Sequence, residues 1–244
     1  TMDDRTIKAY NDAAEEYVGR YESIDGGVSS FFSLLVRPGQ RVLDIGAGSG
    51  RDMARLQDLG CDVTGIEPSE ELRRLSVTRH PSLDGPVLAG SLTENTSSLQ
   101  SIRFDVVILN AVLMHIPIAE LFEFAMSIRK LMKVRGTLLI SVSTARDDVV
   151  DVSERDQSGR LFVLRPALEI QLLFERIGFR LESKWESADS FGRNGIKWET
   201  LVFVYHESSP RPIDRIDSII NRDRKTSTYK LALLRSLSEI AQTS

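Results

Sequence analysis

Apolar residues along this chain alternate between short continuous runs and helical spacings. Residues 41–45, 62–66, 87–89, 104–109 and 137–142 read as strands, and 104–109 is apolar almost throughout, as in a strand buried on both faces. Helical periods lie between them. One begins at Met53 and ends at Leu59, and a second follows Pro68 and Ser69 with Glu70 and Glu71 at the positive end of its dipole. A third, 118–133, puts Leu121, Phe122, Ala125, Ile128, Leu131 and Met132 on one face, with Lys130 and Lys133 near its end. Ahead of the first strand, 6–20 aligns Ile7, Tyr10, Ala14, Tyr17 and Val18, and after a break at 24–27 a further helix is expected over 28–36, stopped by Arg37, Pro38 and Gly39. Residues 143–160 are polar and without a period. A helix then runs from Arg165 and Pro166 to Ile177, with Gly178 as its cap, and 179–186 and 197–205 alternate like an antiparallel pair joined by 187–196. Strands alternating with helices predict an α/β layered sheet.

The turn after the first strand carries the chemistry. RVLDIGAGSGRD, residues 41–52, reads as strand, tight turn, helix, with glycines at 46, 48 and 50 where backbone takes positive φ or approaches a ligand. The spacing G-x-G-x-G lacks the third glycine position of the dinucleotide fingerprint. Asp44 precedes the turn, and the second strand ends in Glu67, one strand–helix–strand unit downstream and placed to reach a ribose. Together these residues resemble motif I and its partner acid in the class I S-adenosylmethionine (SAM) methyltransferases, over 6 to about 205.

The resemblance implies a Rossmann-like seven-stranded mixed sheet, six strands parallel and one antiparallel, in the order 3-2-1-4-5-7-6, with helices on both faces and SAM at the strand ends. Its implied cofactor residues are Asp44, Gly46, Ala47, Gly48 and Gly50 at the methionine end, Glu67 and Pro68 at the ribose, Ser91 and Leu92 at the adenine, and Asn110 and Ala111 at the centre. Y-x-x-x-A-x-x-Y, with Tyr10 and Tyr17, resembles the lid helix over the cofactor, where a Tyr or a following Arg such as Arg20 meets the methionine carboxylate; burial of an amphipathic face explains the same pattern. Family members commonly carry an acidic or polar residue there to bond the adenine amino group, and Ser91 is a departure in that it does so more weakly than an Asp. FDVVILNAVLMHIP, 104–117, resembles the motif IV region of the small-molecule branch, which makes His115 the candidate general base, with packing as the other reading. The product would be S-adenosylhomocysteine (SAH), and the acceptor an O, N or S nucleophile of a small molecule.

Several chemistries are disfavoured. Asn110 is not followed by the Pro-Pro-aromatic segment of amino-methylating DNA enzymes, and the one cysteine, Cys61, sits away from the strand end where cytosine C5 methylation needs a nucleophile. No His, Cys and Asp cluster has metal-ligand spacing, so no metal is expected. A lone cysteine and the lack of a membrane-length apolar run point to a cytoplasmic protein without membrane contact. Net charge is −4, no general polyanion footprint, yet 211–244 holds seven Lys or Arg against four Asp or Glu. That basic segment keeps nucleic acid open as a partner, including an RNA substrate. Its string DRKTSTYKLALLRSLSEIA resembles a stretch of bacterial restriction-like HNH endonucleases. The expected division is therefore a methyltransferase domain over 1–206 and a helical extension over 207–244, which serves as a dimer contact or a junction to a fused domain. A non-catalytic SAM-binding module of a larger modification or defence protein is the alternative reading.

Overall fold

The computed structural model describes residues 3–24, 27–147 and 154–206. The expectations for 207–244, both the amphipathic helix and the junction, lie outside these residues. Two helices, α1 (Asp4–Asp12) and α2 (Ala14–Glu22), open the chain. They replace the single helix expected over 6–20: Ala13 leaves helical geometry with φ −121° and ψ 24°, which bends the chain and lets Tyr10 and Tyr17 approach the same space from two directions. The stretch expected as a helix over 28–36 is a 3-10 turn (Gly27–Phe31) followed by a single helical turn, α3 (Phe32–Leu35).

From β1 (Arg41–Ile45) the alternation is regular: α4 (Arg51–Asp58), β2 (Asp62–Glu67), α5 (Glu70–Arg79), β3 (Val87–Ala89), α6 (Leu92–Leu99), β4 (Phe104–Asn110), α7 (Leu121–Leu131), β5 (Met132–Ala145), α8 (Ala167–Arg176), β6 (Phe179–Ala188) and β7 (Lys197–Tyr205). The seven strands form one mixed sheet in the order β3-β2-β1-β4-β5-β7-β6. Pairing is parallel from β3 to β5, and β7 runs antiparallel to both of its neighbours. Phe104, Val106, Val107, Ile108 and Leu109 of the central β4 are buried, with helices packed on both faces. At roughly 1.5–3 kcal/mol for each large apolar side chain removed from water, this strand anchors the sheet and fixes where its carboxyl end emerges.

β5 starts five residues earlier than expected. Met132 ends α7 in extended geometry, and Lys133, expected within the helix, belongs to the strand and pairs through Nζ with Asp105 at 2.8 Å. The register moves from Phe104 opposite Met132 to Val106 opposite Thr137, so the intervening residues form an irregularity in which Arg135 has φ 66°. Cys61 is buried in the core, and its thiol donates to Arg37 O at 3.6 Å.

Candidate active site

Strand ends β1, β2 and β4 converge beneath α1 and α2 on a cavity of about 520 Å3. The glycine turn is its floor. Gly46 N and Ala47 N both donate to Ile66 O, at 2.7 and 3.1 Å, which ties the turn to β2. Gly46 has φ 76°, and a Cβ there would lie 2.5 Å from Val112 Cγ2, so the position requires glycine on both counts. Gly48 has φ 57° and lines the cavity, and a Cβ there would only touch the Tyr21 ring and Gly46 O, at 3.9 Å. Gly50 does not line the cavity. It starts α4 and packs toward Leu83 and Ser76, which corrects its expected place among the cofactor residues: the third glycine of the motif serves the turn's packing.

Glu67 organises the adjoining wall. Its carboxylate accepts from Gly48 N at 2.9 Å and Ser69 N at 2.8 Å, and burial pushes its pKa up against those two bonds. Asp44, also buried, is pushed well above the usual carboxylate range by burial and by Asp52 and Glu67 nearby. Asp52 did not stand out in the sequence, although it lies two residues past Gly50. It accepts from Asn110 Nδ2 at 2.9 Å and pairs with Arg51 at 2.8 Å, so it fixes the Asn110 amide at the centre of the cavity. Ala111 follows with φ 61°.

Pro68, Ser91 and Leu92 line the end of the cavity over β2 and β3. The Ser91 hydroxyl donates to Glu94 Oε2 at 2.9 Å and its N–H reaches the same oxygen at 2.5 Å, so the side chain is engaged in capping α6. Tyr10, Tyr17 and Arg20 line the lid side, with the Tyr10 and Tyr17 rings 5.0 Å apart. Thr6 Oγ1 accepts from Leu161 N at 2.8 Å, and Arg155 pairs with Asp3 at 2.7 Å, so α1 is clasped to the 154–161 segment. At the other end Asn11 Oδ1 accepts from Ser69 Oγ at 2.7 Å and from Glu71 N at 3.2 Å.

His115 lies on a 3-10 turn beyond β4, 2% exposed. Its Nδ1–H donates to Leu161 O at 2.6 Å, which leaves Nε2 with a lone pair that accepts from the Tyr10 hydroxyl at 3.0 Å. Burial lowers its pKa to about 4, partly opposed by the bond to Leu161. The imidazole is thus neutral at physiological pH and held in one tautomer. Arg160 stands over the rings of Tyr17 at 4.8 Å and Phe162 at 5.1 Å, and its guanidinium pairs with Asp156 at 2.5 Å. Both belong to the polar stretch 143–160, where no period marks out single residues.

Beyond β4 the cavity continues over the ends of β5, β7 and β6, lined by Ser141, Thr200, Trp198 and Trp185. Asp189, Phe191 and Arg193, from the connection between β6 and β7, line it as well. Asp189 accepts from Arg193 at 2.7 Å and from Trp198 Nε1 at 3.0 Å, and its pKa falls to about 2, where burial alone would raise it, because of the Arg193 bond above all.

A family model for a methyltransferase domain matches residues 19–184 of this chain. The chain belongs to that family. The methyltransferase domain also has the fold of many solved structures. One is the Burkholderia thailandensis 1,6-didemethyltoxoflavin-N1-methyltransferase, solved with 1,6-didemethyltoxoflavin and SAH, at TM-score 0.61 and 18% identity over 83% of this chain and 88% of that one. Another is a Haloferax volcanii putative methyltransferase in complex with the Trm112 activator, at TM-score 0.66 and 15% identity over 84% and 99%. The cyclase SpnF shares the fold at TM-score 0.54 and 16% identity over 74% and 82%. A comparison with curated proteins finds no match. Residues 209–244 match a second family model, described as a domain of unknown function, and nothing in the comparisons supports the endonuclease resemblance of that segment. Among the described residues, no group of His, Cys, Asp or Glu is arranged to hold a metal ion, and no helix is long and apolar enough to cross a membrane.

Proposed function

We propose that this methyltransferase domain uses SAM to methylate an O, N or S nucleophile of a small-molecule acceptor. The observation that carries the reading is one continuous cavity running from the glycine turn and Glu67, past Asn110, to His115 and the aromatic wall over β5, β7 and β6. Glu67 and the cavity-lining backbone of Gly48 suit a ribose diol and a methionine tail, since each carboxylate oxygen keeps a second lone pair after accepting one backbone N–H. The Burkholderia enzyme solved with SAH has the same fold and supports this choice of donor.

When bound, SAM would supply an electrophilic methyl, its carbon–sulfur bond breaking as the acceptor–carbon bond forms, to leave SAH and a methylated acceptor whose proton passes to solvent water. The chain's contribution is alignment and exclusion of water. Tyr10 and Tyr17 roof the centre, the Asn110 amide is fixed by Asp52, and His115 presents Nε2 as a neutral acceptor. An imidazole with a pKa of about 4 is a weak base, so His115 acts by accepting a hydrogen bond from the nucleophile's O–H or N–H once Tyr10 turns aside. Incubation of the full chain with methyl-labelled SAM and a panel of small phenols, amines and thiols tests the reading. Label entering an acceptor with wild type and lost in Glu67→Ala supports it. SAH binding without transfer to any acceptor contradicts it and favours a SAM-binding module.

A further inference from the structure

The part of the cavity beyond β4 differs in chemistry from the cofactor side. Both tryptophans of the chain line it, Trp185 from β6 and Trp198 from β7, together with Phe31 and Phe191. The Phe31 and Trp185 rings lie 4.7 Å apart, tilted by 52°, and Phe31 comes from the 3-10 turn before α3, so two distant segments build one aromatic wall. Trp198 is held by its indole N–H to Asp189.

Most arginines lining the cavity are engaged by carboxylates, Arg20 by Glu16 at 3.3 Å and three others more closely. Arg193 pairs with Asp189, Arg51 with Asp52 and Arg160 with Asp156, all with distances of 2.8 Å or less. Guanidiniums bound to carboxylates in this way attract an additional anion weakly, while Trp185, Trp198 and Phe31 line the cavity as uncharged aromatic surface. Serine and threonine hydroxyls at the floor, Ser141 and Thr200, offer neutral hydrogen bonding.

From this we infer that the acceptor lobe takes an uncharged planar aromatic or heteroaromatic small molecule, stacked against the Phe31–Trp185 wall. The inference rests on the methyltransferase reading only for calling the occupant an acceptor. Affinity for flat rings is a property of the lobe itself.

A matched pair of probes tests it: 2-naphthol and its saturated counterpart decahydro-2-naphthol share a skeleton and a hydroxyl and differ in planarity and π faces. Calorimetric titration into the full chain, with and without saturating SAH, is expected to show 2-naphthol binding about tenfold more tightly than the saturated alcohol. Trp185→Leu and, independently, Phe31→Leu are expected to remove most of that preference while SAH affinity stays at the wild-type value, which also reports that each variant is folded. No binding of 2-naphthol, equal affinity for the two alcohols, or a preference unchanged in both variants overturns the proposal. If SAH fails to bind while 2-naphthol discriminates, the lobe stands and the cofactor reading falls.

Discussion

At Gly46 a side chain meets two obstacles at once, a backbone φ of 76° and Val112 Cγ2 at 2.5 Å from an added Cβ. Gly46→Ala should therefore cost about 2–4 kcal/mol, combining left-handed strain with overpacking, as read by chemical denaturation. Val112→Ala in the same chain should recover the overpacking part and leave the strain. His115 makes a prediction in pH. Its pKa is about 4 in the folded state against an ordinary 6.5, so between those values the unfolded chain binds the additional proton. Stability from this residue is complete above pH 6.5 and is lost as pH falls toward 4, by about 3 kcal/mol. Urea titrations at pH 7 and pH 4 should show wild type losing that much more than His115→Asn; equal losses would mean that the imidazole is not buried as described.

The lid is held at its ends. Asp3 pairs with Arg155, which holds its carboxyl well below the usual range, and Asn11 bonds the start of α5. Arg155→Ala should speed hydrogen exchange in α1 while β4 stays protected, because few other polar ties join α1 to the 154–161 segment. This clasp was invisible in the sequence, since it joins residues about 150 positions apart within polar stretches. Local periodicity made the strands themselves legible, in the apolar run of β4 and the alternation of β6 and β7, whereas the strand order observed was implied by the resemblance that the glycines after β1 and Glu67 carry. Boundaries failed where local pattern and tertiary pairing compete. Lys133 satisfies a helix period and a dipole, yet it pairs with Asp105 in the sheet, and Ala13, a strong helix former, sits at a bend imposed by docking of Tyr10 and Tyr17 over one cavity. The site was legible at the glycine turn and Glu67, where spacing carries the chemistry. Arg160, Phe162 and Trp185 were not, because no spacing links them.

For the whole domain, one cavity spans the ends of β1, β2 and β4, so a ligand bound against them adds contacts to three strands and the lid at once. Saturation with SAH at about 100 times its Kd should stabilise the fold by about 2.7 kcal/mol, a rise in Tm of about 5–10 °C. The central claim is that the cofactor site is built on Glu67, and calorimetric titration of SAM and SAH into wild type and Glu67→Ala tests it most directly. The account predicts micromolar binding by wild type and a loss of about 10- to 100-fold in the variant, the effect of removing a buried carboxylate acceptor. Wild type that binds neither ligand, or a variant that binds both equally well, would contradict it.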